Sequence, residues 1–490
     1  MRPAERQHQG GSTGTANALP WRGLGLSSNL DARAVPEPYQ LLDAEPGLFD
    51  YVEYSAPLSL EEARRHASLF AAMWARRAEV PVLFHPVHLN LYGPVLESAD
   101  ALAHLDAHAR AVDSAWVGND VGWWHADGEP FPGYLYIAPP LTHPGVADAA
   151  AHALHVRSHL SVPLALENPA VIAIRGEWHV LDFMAELHAR TGCPLLLDLG
   201  HLFSYQLGRG LPISAGLDGT PLERVVEIHV AGGVVSRRGE RRYYLDDHTQ
   251  PVREELFELL EEVVPRCTNL RAVTFEGDGH PPDVAARVLR RLRKLVRPPP
   301  LGERREQPVR ADGAPPQEGH GDAQFAPATD AMALFEESYG LRPASEDADA
   351  VEAEVDFRMA VLAQTLDRRF PISRLLVAGT RGRLEAFTRS DSFRACFVRN
   401  QRSVLNAFQQ WAIARSRELR EPALDAVLAL ESVDGGDPRW PTAPVDLTEA
   451  RFAARALKRH LADRALATGT IELEALEALW QVVRRAGRRE

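Results

Sequence analysis

Eight short apolar runs punctuate the first 280 residues, and their rhythm restricts the fold more than anything else in the chain. They are RGLGLSS near residue 22, FDYVEYS at 49, VPVLFHPV at 80, AWVGNDVG at 115, VPLALENPA at 162, CPLLLDLGH at 193, VVEIHVAGG at 225 and AVTFEGDG at 272. Each is strand length and rich in branched or aromatic residues. Most of the intervals between them carry helical spacing. SLEEARRHASLFAAMWARRA places Ala63, Ala67, Phe70 and Trp74 on one face, and EWHVLDFMAELHARTG does so with Leu181, Met184 and Leu187. VREELFELLEEVV and DVAARVLRRLRKLV fill later intervals. Between the sixth and seventh runs, Gly and Pro stand where a full helix is expected.

Strands that alternate with helices pair in parallel, because a parallel pair needs a crossover. Eight such units over residues 21–297 predict an α/β protein, a TIM (β/α)8 barrel. An open doubly wound sheet would be expected to carry a glycine-rich phosphate turn after an early strand, and GLGLSS is a poor one. Residues 298–329, PPPLGERREQPVRADGAPPQEGHGDAQFAPAT, hold almost no large apolar side chain. Such a segment cannot offset its ordering entropy and reads as a disordered linker. Residues 330–490 read as a separate all-helical C-terminal domain with a core of its own. Its repeats of three-four spacing include a stripe of Leu476, Leu479, Trp480 and Val483. His460 is isolated there and reads as a surface residue. Residues 1–20 read as a disordered tail without the apolar core of a signal peptide.

In a barrel of this kind, chemistry gathers at the C-terminal ends of the strands. Here those ends carry His85 and His88, Asp120, Glu167 and Asn168, Asp198 and His201, His229, and Glu276 with Asp278. The segment after the seventh strand adds Asp246, Asp247 and His248. One such histidine is ordinarily a structural residue, and one such aspartate a helix cap. A ring of carboxylates around one mouth is different, because buried like charges repel unless cations join them. Oxygen and imidazole donors without thiolate suit iron, manganese or zinc. Glu167, Asp198 and Glu276 can each bridge two cations and form the expected catalytic set. The donors outnumber what one ion needs, so the site is expected to be multinuclear.

The order LENPA, GCPLLLDLGH, VEIHVAGG, LDDHTQPV, FEGD resembles the multinuclear non-haem iron-dependent oxidative enzymes, the family that includes the methanobactin biosynthesis oxidase. The resemblance spans residues 21–297. It implies a TIM barrel with two or three iron ions and dioxygen as co-substrate. The implied substrate is a ribosomally synthesised precursor peptide, commonly modified at cysteine, in natural-product biosynthesis. Carried over by motif, the implied iron ligands are His85, Glu167, Asn168, Asp198, His201, His229, Asp246, His248 and Glu276, and Asp120 matches the acid of the family's strand-four motif. The family places histidine after that acid; this chain has Val121, which cannot ligate. His88 and His125 are the candidate substitutes. The histidine-bearing segment usual after strand one is not recognisable in SSNLDARAVPEPYQ, so the core from strands five to eight is the better-specified part.

Relatives in this family often work with a partner protein that presents the peptide, and the helical domain is a candidate for a fused equivalent. Trp123 and Trp124 either line a substrate groove or pack the helix shell. Two other classes use the same residue types: a divalent-metal isomerase or phosphoester hydrolase on a TIM barrel, and a non-catalytic binding module. Net charge is −13, so nucleic acid is not an expected partner. No apolar run is long enough for a membrane span. Three scattered cysteines fit a reducing, cytoplasmic setting.

Overall fold

The computed structural model describes residues 19–30, 35–66, 68–126, 129–131, 135–238, 241–296, 325–367, 386–398 and 404–419. All eight apolar runs form strands: β1 (Gly23–Ser28), β2 (Tyr51–Ala56), β3 (Val82–Pro86), β4 (Val117–Asp120), β5 (Leu164–Glu167), β6 (Leu195–Asp198), β7 (Val225–Ala231) and β8 (Ala272–Glu276). Each pairs in parallel with the next, and β8 closes on β1. The expected TIM barrel is therefore present.

The register explains which side chains meet. Asp120 lies opposite Glu167, Asp198 opposite His229, and Glu276 opposite Ala231. Residues in register on neighbouring strands share a face, so these side chains crowd one end of the interior. Below them the barrel is plugged by Tyr51, Leu83, Trp116, Ala165, Leu196, Val226 and Ala272. Outside it, Ile228 and Val230 join the large apolar core beneath the helices.

Two intervals depart from expectation. The stretch from Ser59 forms two short helices, Leu60–His66 and Phe70–Arg76, rather than one. The interval after β6 holds a full helix, Leu199–Arg209, which starts at the strand's last residue. Asp198 caps it by accepting from the His201 amide at 2.6 Å. Gly200 and Gly208 are accommodated within the helix, Gly210 ends it in the left-handed conformation, and Pro212 and Pro221 lie beyond it.

The described helices beyond the barrel are Ala331–Ser338, Ala348–Asp367, Asp391–Val398 and Val404–Leu419. The helices foreseen after residue 420, the stripe from Leu476 to Val483, His460 and nearly all of the linker lie outside the described residues. The linker's final residues do have a structural role. Ala328 and Thr329 donate backbone amides to Asp148 of the barrel at 2.7 and 2.8 Å. Nor is the helical core wholly its own. Phe335, Tyr339, Phe393 and Phe408 share one apolar cluster with Tyr92, Trp123, Phe131 and Tyr243 of the barrel loops. Buried Arg175, from the loop after β5, is paired with Glu337 at 3.2 Å and Glu354 at 3.0 Å. The helices are thus seated on the same end of the barrel as the donor ring.

Candidate metal centre

His229 lies at the middle of the ring. Its Nε2 is 2.9 Å from Glu53 Oε2, while Nδ1 faces Glu167 Oε1 at 3.3 Å and Glu276 Oε2 at 3.6 Å. His85 Nε2 is 3.0 Å from Glu167 Oε2. His201 Nδ1 donates to the Asn168 carbonyl at 2.9 Å, which leaves Nε2 facing Asp246 Oδ2 at 3.5 Å. His248 Nε2 lies 3.0 Å from Asp246 Oδ2 and 3.7 Å from Glu276 Oε2. Donor atoms converge in three groups: His85, Glu167 and His229; Glu53, His229 and Glu276; Asp120, Glu167 and His201. Glu167 and His229 each belong to two of them.

The expected residues are brought together, with different tasks. Asn168 clasps the end of β6: its Oδ1 accepts from the Asp198 amide at 2.8 Å and its Nδ2 donates to the Asp198 carbonyl at 3.0 Å. It therefore positions a donor. Asp198 combines the cap and the donor, one oxygen on the helix and the other unpartnered. Asp246 and His248 return to the mouth on a hairpin, Gly233–Arg238 paired with Arg241–Asp246. Asp247 instead folds back on Thr249 and Gln250 in a local turn. His125 is engaged by Glu97 at 2.8 Å, and neither it nor His88 enters a donor group among the described residues. Val121 is fully buried in the apolar core. Trp123 packs against Phe131 and Phe335, Trp124 lies tilted against Tyr136, and both tryptophans border the cavity.

Glu53 and Glu227 were missed. Both sit on strands at interior-facing positions, Glu53 in FDYVEYS and Glu227 two residues before His229. A carboxylate inside an otherwise apolar strand was the available signal. Glu227 is stabilised by Trp116 Nε1 at 2.6 Å and Thr274 Oγ1 at 2.9 Å, and forms a polar floor beneath the donors.

The electrostatics of the ring reflect crowding. Burial pushes the Glu276 carboxyl up to about 8, against the opposing pull of His248 and His229. Burial also raises Asp120 to about 7, reinforced by the Glu167 charge. Burial disfavours the His85 imidazolium, but the Glu167 hydrogen bond and the Glu53 charge prevail and lift it to about 9. His201, His229 and His248 are likewise held above the ordinary histidine value, burial being outweighed by surrounding carboxylates. Glu167 moves the other way, because His229 and His85 overcome the cost of its burial.

One observation tests whether metal fits. Glu53 Oε1, Asp198 Oδ2, His229 Nδ1 and Asp246 Oδ1 are buried without a hydrogen-bond partner. Such atoms ordinarily cost about 1–3 kcal/mol each. Lone pairs at the centre of a carboxylate–imidazole ring lose that penalty when they ligate ions. The His229–Glu53 pair has the form of a metal histidine oriented by a carboxylate behind it. The residues fit.

A closed (β/α)8 barrel with a ring of oxygen and nitrogen donors at its mouth, arranged so that they could hold metal, is the class of protein this geometry defines. Residues 23–295 match the family model of the RiPP precursor modification enzyme MbnB/TglH/ChrH, RiPP denoting a ribosomally made, post-translationally modified peptide. The chain belongs to that family. It is 29% identical to the UPF0276 protein of Caulobacter vibrioides over 266 residues, 54% of this chain and 90% of the relative. It is 32% identical to the UPF0276 protein of Bordetella pertussis over 278 residues, 54% and 93% respectively. Solved structures of similar outline include Thermus thermophilus endonuclease IV, at 20% identity and TM-score 0.38 over 56% of this chain and 98% of that one. Escherichia coli 3-keto-D-glucoside 4-epimerase matches at 14% identity and TM-score 0.34, with the same coverages. Among the described residues no helix is long and apolar enough to cross a membrane.

Proposed function

We propose that this chain is a multinuclear non-haem iron enzyme that uses dioxygen to oxidise a ribosomally made precursor peptide at cysteine. The observation that carries this is the group of unpartnered buried donor atoms within a mixed carboxylate–imidazole ring, in a chain of a peptide-modifying family. Bound iron would supply the redox chemistry with dioxygen. His85, Asp120, Glu167, Asp198, His201, His229, Asp246, His248 and Glu276 would hold the ions. Glu53 and Asn168 orient His229 and Asp198 from behind.

The cavity above the ring supports a large substrate. Its volume is about 2080 Å³, well beyond the 300–1,000 Å³ of small-molecule sites. His85, Asp120, Glu167 and His248 line its floor, Trp124 its side, and Phe357 of the helical region also borders it. A peptide segment can enter such a space with a side chain on the donors. The helical region is then a fused presenter of the peptide, a role supported by its contribution to the cavity wall.

The test is elemental and iron spectroscopic analysis of protein purified without oxygen, followed by exposure to oxygen with the precursor peptide. Two or more irons per chain and an oxygen-dependent mass change at a peptide cysteine are expected. Zinc or manganese alone after iron-replete growth would replace this reading with the hydrolase or isomerase class. Absence of bound metal would leave the binding-module reading.

A further inference from the structure

The helical region touches the donor ring through one continuous set of contacts. Asp120 is the last residue of β4, and Val121 follows it. Its Oδ1 accepts from the Tyr136 hydroxyl at 2.9 Å. That hydroxyl also accepts from the Ala170 amide at 2.5 Å, three residues beyond Glu167. Tyr136 thereby bridges the ends of β4 and β5, the two strands that present Asp120 and Glu167 side by side.

Tyr136 lies on an irregular segment, and its backbone is held from the C-terminal helices. Arg358 Nη1 donates to the Leu135 carbonyl at 2.9 Å and Nη2 to the Tyr136 carbonyl at 2.6 Å. The arginine is 5% exposed, and Glu354 fixes its Nε at 2.9 Å. Glu354 in turn pairs with Arg175. A planar guanidinium with all its edges engaged holds two carbonyls in a fixed orientation, which an ammonium group cannot do.

We propose that Arg358 is a positioning residue for the metal centre. It fixes Tyr136, and the Tyr136 hydroxyl sets the Asp120 carboxylate toward Glu167 and His201. This rests on the metal-centre reading above. The helical region is in this sense a part of the centre, supplying order at the end of β4.

Full-length Tyr136→Phe, Arg358→Ala, Arg358→Lys and the Tyr136→Phe/Arg358→Ala double variant test it. Each is loaded anaerobically with iron(II), and the Mössbauer spectrum and ions per chain are read beside circular dichroism and thermal melting. Tyr136→Phe and Arg358→Ala are expected to change the same iron component, the double variant no more than the larger single one. Arg358→Lys is expected not to restore it, and it keeps the test open if Arg358→Ala fails to fold. A wild-type iron spectrum in folded Arg358→Lys or Arg358→Ala overturns the inference, as do additive effects in the double variant. Wild-type protein that binds no iron overturns the metal-centre reading instead, and this inference with it.

Discussion

Replacing Glu53 by glutamine separates the orienting of His229 from the holding of an ion. Glu53 is 2% exposed, and its Oε2 receives His229 Nε2 at 2.9 Å and Thr274 Oγ1 at 3.4 Å. That oxygen is engaged, so the carboxylate keeps the proton on Nε2 and leaves Nδ1 as the free donor toward Glu167 and Glu276. Glutamine preserves shape and can still accept the bond, but not as a charge-assisted one. The difference is about 1–2 kcal/mol, and outer partners of this kind are typically worth about 10–100-fold in metal affinity. Stability should respond differently. Burial raises Glu53 above the ordinary carboxylate value, with Glu227 adding repulsion, so removing its charge relieves the ion-free fold. The expected result is metal binding weakened roughly 10–100-fold, with the ion count at saturation unchanged and no fall in the melting temperature of the ion-free protein. Anaerobic competition titration of iron(II) or manganese(II) against a chelating dye, with calorimetry on the ion-free form, reads all three. Unchanged affinity would refute the orienting role. Loss of a whole ion would make Glu53 a direct ligand.

Ion-free protein should lose stability as pH rises from about 4 to 9. His85 is raised to about 9 from an ordinary value near 6.5, so its contribution is full below about 6.5 and disappears through 9. Glu276 and Asp120, raised to about 8 and about 7 from ordinary values near 4, act in the same direction from about pH 4 upward because their charged forms are the costly ones. Metal should abolish this slope by replacing the protons, which melting curves across pH would show; a slope that survives saturation with metal would contradict the account. Gly232→Ala should dislodge the arm carrying Asp246 and His248, since a Cβ would lie 1.7 Å from the Gln250 carbonyl oxygen. Fewer bound ions and a stability loss of roughly 1–3 kcal/mol are expected. Arg175→Met strands Glu337 as a buried charge and leaves Glu354 with Arg358 alone, and should cost about 3–5 kcal/mol in denaturant unfolding. A chain ended at residue 296 bares Tyr92, Trp123, Phe131 and Tyr243, and should aggregate on size-exclusion chromatography.

The barrel was legible in the residues because its determinants are local and periodic. Eight runs of branched apolar residues, separated by helical spacing, leave parallel pairing as the economical solution, and every run became a strand. The donors at strand ends were legible for the same reason: once strands are placed, their C-terminal residues share one rim. Misreadings came where local composition and tertiary need part company. Gly and Pro after β6 concealed a helix that begins on the strand's own last residue. Asn168 suits a ligand by type and place, and the structure adds a second task, the clasp of its amide on the backbone of Asp198.

What no local pattern carries is long-range convergence. Glu53 and Glu227 are carboxylates within apolar strands, but only closure of the barrel through β1, β2, β7 and β8 sets them beside His229. The Arg358–Tyr136–Asp120 contacts join residues 222 positions apart at their far end, through backbone carbonyls that have no residue signature. Helical spacing marked the C-terminal region as helical, but not the surface that its 348–367 helix would find. Sequence determined the elements, because hydrophobic periodicity acts over a few residues. Tertiary structure decided which buried charges meet and which lone pairs are left for a ligand, because those depend on barrel closure and the seating of the helices.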